Sequence, residues 1–567
     1  VSTKPTTESK VPSSKESKGA AVAGRKGSLY PGWLAFGVAA LLLLAIVALR
    51  TFDAQVSARF PVIDPAIINI ITLIVAFFAF DSILLWFLLH PGFSRPLRWG
   101  VGVGLFVAIA AAFAAIRIDG VAGDLTPRFA WRWSPPIDAQ LTPLETKTAS
   151  NVSTVDLTQT TPNDFPQFLG PGREPYLPQT DLERDWEAHP PKLVWKQKIG
   201  AGLSGFSVVQ DYAFTLEQRG EDEWVTCYEI ETGKPIWGHS IRGRYESKLG
   251  GIGPRSTPTI QEGRVYAMGA TGVLRCLDGA TGKLIWQDDL LKQVGITQEE
   301  ELAEVSFGRS ASPLIVDNLV VLPAGGKEGK THSLIAYEKE TGKVAWMKGD
   351  KQISYASPTL ATIAGRRQIL TVNEDTVAGH DAENGDELWT FPWPGASNAN
   401  ASCSQAVPLE GDQVFISKGY GFGSAVYKIS PDSGGKWSAD EVWANRRVLK
   451  TKFTNVAMID GYAYGLSEGV LECAKVETGE SEWKKGRYRQ GQVLGVGKTL
   501  LVISENGELI HLEATPEENR ELGKIQAIEG QTWNPLCLSG NRLLVRNSEE
   551  AACYELALAG ENQDGSR

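Results

Sequence analysis

Three stretches near the N-terminus are apolar almost without a break: residues 33–49, 67–89 and 99–116. Runs of about 17–25 apolar residues match the thickness of a bilayer. The pattern therefore predicts three membrane helices. Tyr30, Trp33, Trp86 and Trp99 fall where interfacial anchors belong. Two more apolar runs follow the first, and no small-residue cleavage pattern does, so the first run reads as a helix and not as a signal peptide. From residue 165 onwards the pattern changes. Apolar and polar residues alternate over short runs punctuated by Gly, Asp, Asn and Pro. Alternation with period two predicts strands, many of them, in one large all-β domain.

Within that region one segment recurs five times without gaps. Residues 227–237 read CYEIETGKPIW, 276–286 CLDGATGKLIW, 336–346 AYEKETGKVAW, 379–389 GHDAENGDELW and 473–483 CAKVETGESEW. Each copy predicts two strands around a tight turn. Gly233, Gly282, Gly342, Gly385 and Gly479 supply the positive φ such a turn demands. Trp237, Trp286, Trp346, Trp389 and Trp483 are too large for one sheet to cover. Each must bury its ring against a neighbour, so the repeat predicts a docking contact between successive units. A degenerate copy ends at Trp443, and another ends near Ile525 with His511 where other copies have Cys. Leu193-Val194-Trp195 is an orphan final strand, and the C-terminal strands lack one. Joining the two ends in one blade closes a ring and removes its free edges. The expectation is an eight-bladed β-propeller of four-stranded antiparallel blades, with seven as the alternative count, preceded by three transmembrane helices.

Asp278, Thr281, Gly282 and Trp286 resemble the consensus A-x-D-x-x-T-G-x-x-x-W of the pyrroloquinoline-quinone (PQQ)-like β-propeller repeat family. Thr232, Thr341 and Thr478 match it with their Gly and Trp; the fourth copy departs, with Asn384 in place of Thr. The resemblance covers the chain from residue 165, where Phe165-Pro166-Gln167-Phe168-Leu169-Gly170-Pro171 resembles the lead-in to the first blade. It implies either of two functions. Some members are noncatalytic and engage proteins, including those that help assemble outer-membrane proteins. Others are quinoprotein dehydrogenases with PQQ, calcium held by carboxylate and amide oxygens, an aspartate base and often a vicinal disulfide. This chain has no Cys-Cys pair and no C-x-x-C-H haem site. The expectation is a binding or scaffold module for a protein or small molecule, without cofactor or catalysis. The alternative is a PQQ- and calcium-dependent oxidoreductase acting on an alcohol or sugar. A sensor ranks lower, because the cytoplasmic part is only a short tail.

The domains follow: a basic tail over 1–30, a membrane region over 31–117, a flexible linker over 118–164 and the propeller over 165–567. Lys4, Lys10, Lys15, Lys18, Arg25 and Lys26 precede the first apolar run, and Arg95 and Arg98 follow the second. The positive-inside rule then puts the N-terminus in the cytoplasm and the propeller outside the bacterial inner membrane. Trp131-Arg132-Trp133, in the linker, suits a membrane surface. Asp81 is the one acid inside a span, an ion-path residue or a helix-end one. Asn151-Val152-Ser153 fits a sequon by chance. The chain begins at Val1, an alternative start or an incomplete one.

The formal net charge is −10, which argues against a nucleic-acid partner. Cys227, Cys276, Cys473 and Cys553 share one slot of the repeat, too far apart on different blades to bridge, and read as small buried residues. The six His are scattered without metal-ligand spacing, so no metal site is expected. Candidate chemistry lies where each innermost strand begins. Arg255, Arg309 and Lys452 open three such clusters, and Thr532-Trp533-Asn534-Pro535 another; Arg219 lies further along the first blade. Together they would make a basic mouth for an anionic ligand, with Trp533 stacking on a planar one. Otherwise the Ser, Thr and Ala of these clusters pack a crowded inner ring while the charges are solvated.

Overall fold

The computed structural model of the chain describes residues 33–52, 65–141 and 156–560. The basic tail, the Asn151 sequon and the last residues lie outside the described residues. The chain divides into two units, Val1–Ala48 with Leu73–Phe113, and Leu49–Thr72 with Ala114–Arg567.

The N-terminal helices are α1 (Trp33–Thr51), α2 (Pro65–Leu89) and α3 (Arg95–Ala115). α2 and α3 are long and apolar enough to cross a membrane by length and composition, and their apolar side chains stay exposed, as at Phe77 and Phe106. α1 contributes only the shorter apolar segment Ala35–Thr51. The described residues thus give two candidate spans where the sequence pattern predicts three. Between α2 and α3, Arg98 donates to the Leu88 carbonyl at 3.1 Å, satisfying one of the carbonyls a helix end leaves open.

The second unit contains the eight-bladed β-propeller. Its antiparallel four-stranded blades span 207–242, 259–289, 314–348, 359–392, 407–445, 457–487 and 492–526, with the eighth over 537–555. The orphan strand, Lys192–Lys198, completes blade eight by pairing with its third strand, Cys553 opposite Trp195. The short first strands of neighbouring blades touch and form the inner ring. The core lies between blades: Phe214, Val225 and Trp237 of blade one pack on Ile260, Val265 and Leu277 of blade two.

The repeat Trp is the joint. The Trp237 indole donates to the Gly279 carbonyl at 3.0 Å, Trp286 to Lys339 at 3.0 Å and Trp443 to Val476 at 2.9 Å, each in the next blade. Each ring lies flat against the turn Gly of that blade. A Cβ on Gly233 would meet the Trp195 ring at 2.7 Å, and one on Gly342 the Trp286 ring at 2.6 Å. Gly282 faces Trp237, Gly385 faces Trp346 and Gly479 faces Trp443 in the same way. These glycines hold φ near +70°, so both the turn and the joint require Gly. The Cys slot pairs directly across from the Trp, as Cys227 does with Trp237 and Cys473 with Trp483. A small side chain leaves room for the indole there. All six cysteines are free, and five are buried.

Two irregularities interrupt the repeat. The 288–304 insertion forms the helices Leu290–Gln293 and Gln298–Glu304, the second opened by a reciprocal cap between Thr297 and Glu300. The fifth blade ends in a long hairpin, Gly423–Pro431 with Trp437–Asn445.

The first part of the expected flexible linker, up to residue 141, is structured, and residues 142–155 lie outside the described residues. It contains a hairpin, β1 (Ile116–Val121) with β2 (Pro127–Trp131), and a single helical turn at Ile137–Gln140. Local alternation in Ile116-Arg117-Ile118 and Phe129-Ala130-Trp131 supports the pairing, and propeller contacts fix it. The lead-in also does more than open the domain. Phe165 bridges Val208 of blade one, and β3 (Tyr176–Leu177) adds in parallel to blade seven. Leu182 bridges Leu558 near the C-terminus before the chain enters β4 (Lys192–Lys198).

Candidate functional site

A belt of hydrogen bonds binds the inner ring together. The Gly205 N–H donates to Thr257 Oγ1 at 3.1 Å, Thr257 N–H to Ser312 Oγ at 2.9 Å, and Ser312 N–H to Ser357 Oγ at 2.9 Å. The Gln405 N–H donates to Asn455 Oδ1 at 2.8 Å, and the Asn534 amide donates to the carbonyls of Gly202 and Ser204 at 3.0 and 2.8 Å. Each bond joins neighbouring blades. Buried N–H groups of short strands need such acceptors. The small polar clusters therefore pack the crowded ring, and Asn534 belongs to this belt.

Each charged candidate is engaged with internal partners. Arg219 lies at the far end of a blade-one strand, 2.9 Å from Glu217 and 3.1 Å from the Tyr228 hydroxyl. Burial raises the Glu217 pKa, but the Arg219 and Arg546 charges with the Tyr228 hydroxyl outweigh it, and Glu217 stays below the usual range. The Arg255 guanidinium lies 4.4 Å from the Tyr245 ring centre and donates to the Gly253 and Gly250 carbonyls. Arg309 is buried against Glu301 at 2.9 Å and donates to the Pro323 and Ala324 carbonyls at 3.0 and 2.7 Å. The Lys452 ammonium is buried 5.0 Å from the Tyr420 ring centre.

Trp533 is different. Its indole donates to Glu505 Oε1 at 2.9 Å, and the same oxygen accepts the Gly123 N–H of the β1–β2 hairpin at 2.6 Å. Gln531 donates to the Val121 carbonyl at 2.9 Å. On the next blades Arg244 pairs with the buried Asp138, whose carbonyl accepts from Gly220. The hairpin is thereby clamped over the mouth at which the inner strands begin. A cavity of about 60 Å³ remains beneath it, lined among others by Arg128, Lys248, Trp533 and Glu549.

The other end of the ring, where the inner strands finish, is crossed by the lead-in. The Pro166 carbonyl accepts from Ile260 of blade two, the Arg173 carbonyl from Gln405 of blade five, and the Pro175 carbonyl from Gly495 of blade seven. Arg173 points inward, buried, and donates to the Pro313 and Ser312 carbonyls at 2.9 and 3.1 Å. Burial pulls its pKa down to about 9. This segment is a plug.

Sequence reasoning missed Glu505, Gln531, Asp138 and Arg173, and also the buried Glu223–Arg275 pair, 2.6 Å apart between blades one and two. None carries a local motif; each acquires its role from a partner more than 20 residues away or on another blade.

A calcium-bound quinone would need unspent cations and an oxygen shell in a roomy pocket. Arg219, Arg255 and Arg309 are committed to internal partners, and among the described residues no group of three or more His, Cys, Asp or Glu could hold a metal. The cavity is about 60 Å³, against roughly 300–1,000 Å³ for small-molecule sites.

A PQQ-like repeat family profile, described as outer membrane protein assembly factor BamB, matches residues 187–331 and 328–520. The chain belongs to this family. Two kinds of relative accompany the match. The quinoprotein alcohol dehydrogenase PedH of Pseudomonas putida is 27% identical over 167 residues, 28% of this chain and 25% of that protein. The outer membrane protein assembly factor BamB of Shewanella oneidensis is 24% identical over 203 residues, 35% of this chain and 45% of that one. The chain spans less than half the length of either. A europium-containing methanol dehydrogenase of known structure superposes with a TM-score of 0.53 at 9% identity, over 70% of this chain and 98% of that one. At that identity the likeness speaks for the fold alone. Family membership thus carries the propeller, and the relatives include a dehydrogenase and an assembly factor.

Proposed function

We propose that this chain is a membrane-anchored, extracytoplasmic propeller that serves as a binding or scaffold module for a protein partner and is not itself a catalyst. One observation carries the reading: both ends of the ring are taken by the chain's own segments, the plug with Arg173 and the clamped hairpin with Gly123. Little room remains on the axis for a substrate. The outer edge strands, by contrast, keep large apolar residues in solvent, at Leu193, Ile285 and Val442. Exposed strand edges and rims are surfaces to which a peptide can add. The BamB relative supports this choice. The apolar helices support anchoring, and the basic residues before and between the apolar runs favour a cytoplasmic N-terminus with the propeller on the far side of the inner membrane.

The test is a titration of the full chain in nanodiscs with PQQ and calcium, followed by quinone absorbance and melting temperature. No saturable binding is expected, and crosslinking in the native membrane should recover a reproducible protein partner. A saturable complex that reduces a dye with an alcohol or sugar would replace this reading with the oxidoreductase one, which the PedH relative supports.

A further inference from the structure

The β1–β2 hairpin has two unlike faces. Ile116 pairs with Trp131 and Ile118 with Phe129, so these four side chains share one face. Three of them stand well in solvent: Ile118 is 50% exposed, Phe129 68% and Trp131 53%. Trp133, 70% exposed, extends the patch by stacking on Trp131 with ring centres 5.1 Å apart and planes 12° from parallel. No acidic side chain belongs to this ladder, and Arg132 lies between the two Trp.

Away from these side chains, the hairpin is held to the propeller at Gly123 and Val121, and the helical turn that follows it at Asp138. The apolar face is thus fixed outward and cannot fold back to bury itself. Soluble surfaces rarely carry a contiguous patch of this kind without an occupant.

Chain continuity says what the occupant is. α3, a candidate span, ends at Ala115, and β1 starts at the next residue. A strand that leaves a spanning helix without a spacer begins at the bilayer edge. That layer is where Trp and other amphipathic aromatics are most stable, and Arg beside them favours anionic headgroups.

We infer that the face formed by Ile118, Phe129, Trp131 and Trp133 rests in the lipid headgroup layer, making the hairpin a rigid foot. The mouth it covers then faces the membrane, and the plugged mouth and blade rims are left to a partner. The inference rests on the anchoring reading and deepens it.

The experiment reconstitutes the full chain in nanodiscs containing a phospholipid with a headgroup-proximal diazirine. Photolysed adducts are mapped by mass spectrometry. Adducts are expected on the α3 peptide and on Phe129, Trp131 and Trp133, well above those on the blade-five strand bearing Val442. In the F129S/W131S/W133S variant, hairpin adducts should fall by about tenfold while α3 adducts persist, because serine gains nothing from the interface. Circular dichroism of the variant checks its fold, and the wild-type map decides the question even if the variant misfolds. Labelled α3 with hairpin labelling no higher than the Val442 strand overturns the foot while anchoring stands. Unlabelled α3 overturns the anchoring reading and the foot with it. Adducts of the hairpin to a second copy of the chain assign the patch to a protein contact and overturn the foot as well.

Discussion

Five joints of the ring are built alike, and three are not. From blade eight to one, one to two, two to three, three to four and five to six, a repeat Trp lies against the turn Gly of the following blade. At the other three that contact is absent or replaced. Trp389 turns back on its own blade, donating to Gln368 at 2.6 Å and lying over Gly379, where a Cβ would clash with it. Blade five offers no turn Gly there; instead Phe391 stacks on Tyr427 with ring centres 3.7 Å apart. Trp483 donates to the Thr515 carbonyl of blade seven at 3.0 Å. Blade seven has Gly523 at the Trp position and His511 opposite it. There Trp186 of the lead-in stacks on His511, with ring centres 4.8 Å apart and its Cβ 2.5 Å from where a Gly523 side chain would begin. The fold conserves the volume of the joint, not the residue that supplies it.

That comparison breaks if a regular joint proves dispensable. Trp237→Ala removes a buried ring and leaves a cavity between blades one and two, and it should cost about 3–5 kcal/mol. Urea unfolding of the full chain in detergent, followed by fluorescence, reads the loss. Trp186→Ala at the irregular seam should cost roughly 3 kcal/mol by the same mechanism. A W186A chain as stable as the wild type would mean that the lead-in merely lies on the surface.

These cases also mark how far the sequence reaches. The five regular copies, their turn glycines and the orphan strand at Trp195 made the ring and its closure legible, because each signal is local and repeated. The substitute joints were not, because Trp186 and Tyr427 lie outside the repeat that needs them. The same division runs through the candidate site. Trp533 was legible as a residue of the mouth, and it lines the cavity there. The roles of Asn534 and Arg309 were not, because the belt carbonyls and Glu301 that hold them come from other parts of the ring or its insertion. The plug and the clamping of the hairpin were not legible for a third reason, although Trp131-Arg132-Trp133 already suited a membrane surface. Their strands are too short to show a period, and long-range contacts such as Gly123 with Glu505 fix them.

The seam carries a pH signature at His511. His511 occupies the slot of a neutral Cys, and neither ring nitrogen has a hydrogen-bond partner among the described residues. Burial pulls its pKa down to about 4, and the Arg184 charge adds to the effect. The unfolded chain binds the proton more tightly, with an ordinary His pKa of about 6.5. The contribution of neutral His511 is therefore complete above pH 6.5 and declines as pH falls towards 4, by roughly 3 kcal/mol in all. His239 in blade one is shifted the same way, also to about 4, so the wild type should lose stability from both. Melting temperatures between pH 7 and 4.5 should show a shallower slope for H511F than for the wild type. Equal slopes would mean that the seam opens to water before His511 is protonated.

The smallest effect is the most discriminating, because two glycines differ only in what faces them. Gly282 and Gly461 both end tight turns, with φ of +70° and +82°. A Cβ on Gly282 would run into the Trp237 ring, whereas one on Gly461 meets nothing within 4 Å. Alanine at either position pays the left-handed backbone penalty of about 1–2 kcal/mol. Only at Gly282 must the indole also move, and overpacking of that kind adds about 1–3 kcal/mol. The difference between G282A and G461A in denaturant midpoint thus isolates the ring contact from the turn. If the two variants lose the same stability, the glycine is there for the turn alone, and the indole holds its place through its hydrogen bond to Gly279. If G282A loses more, the five regular joints are held by close contact as well. Blade five, which has no such glycine against its neighbour, can then accept Phe391 stacked on Tyr427 because no turn confines the ring.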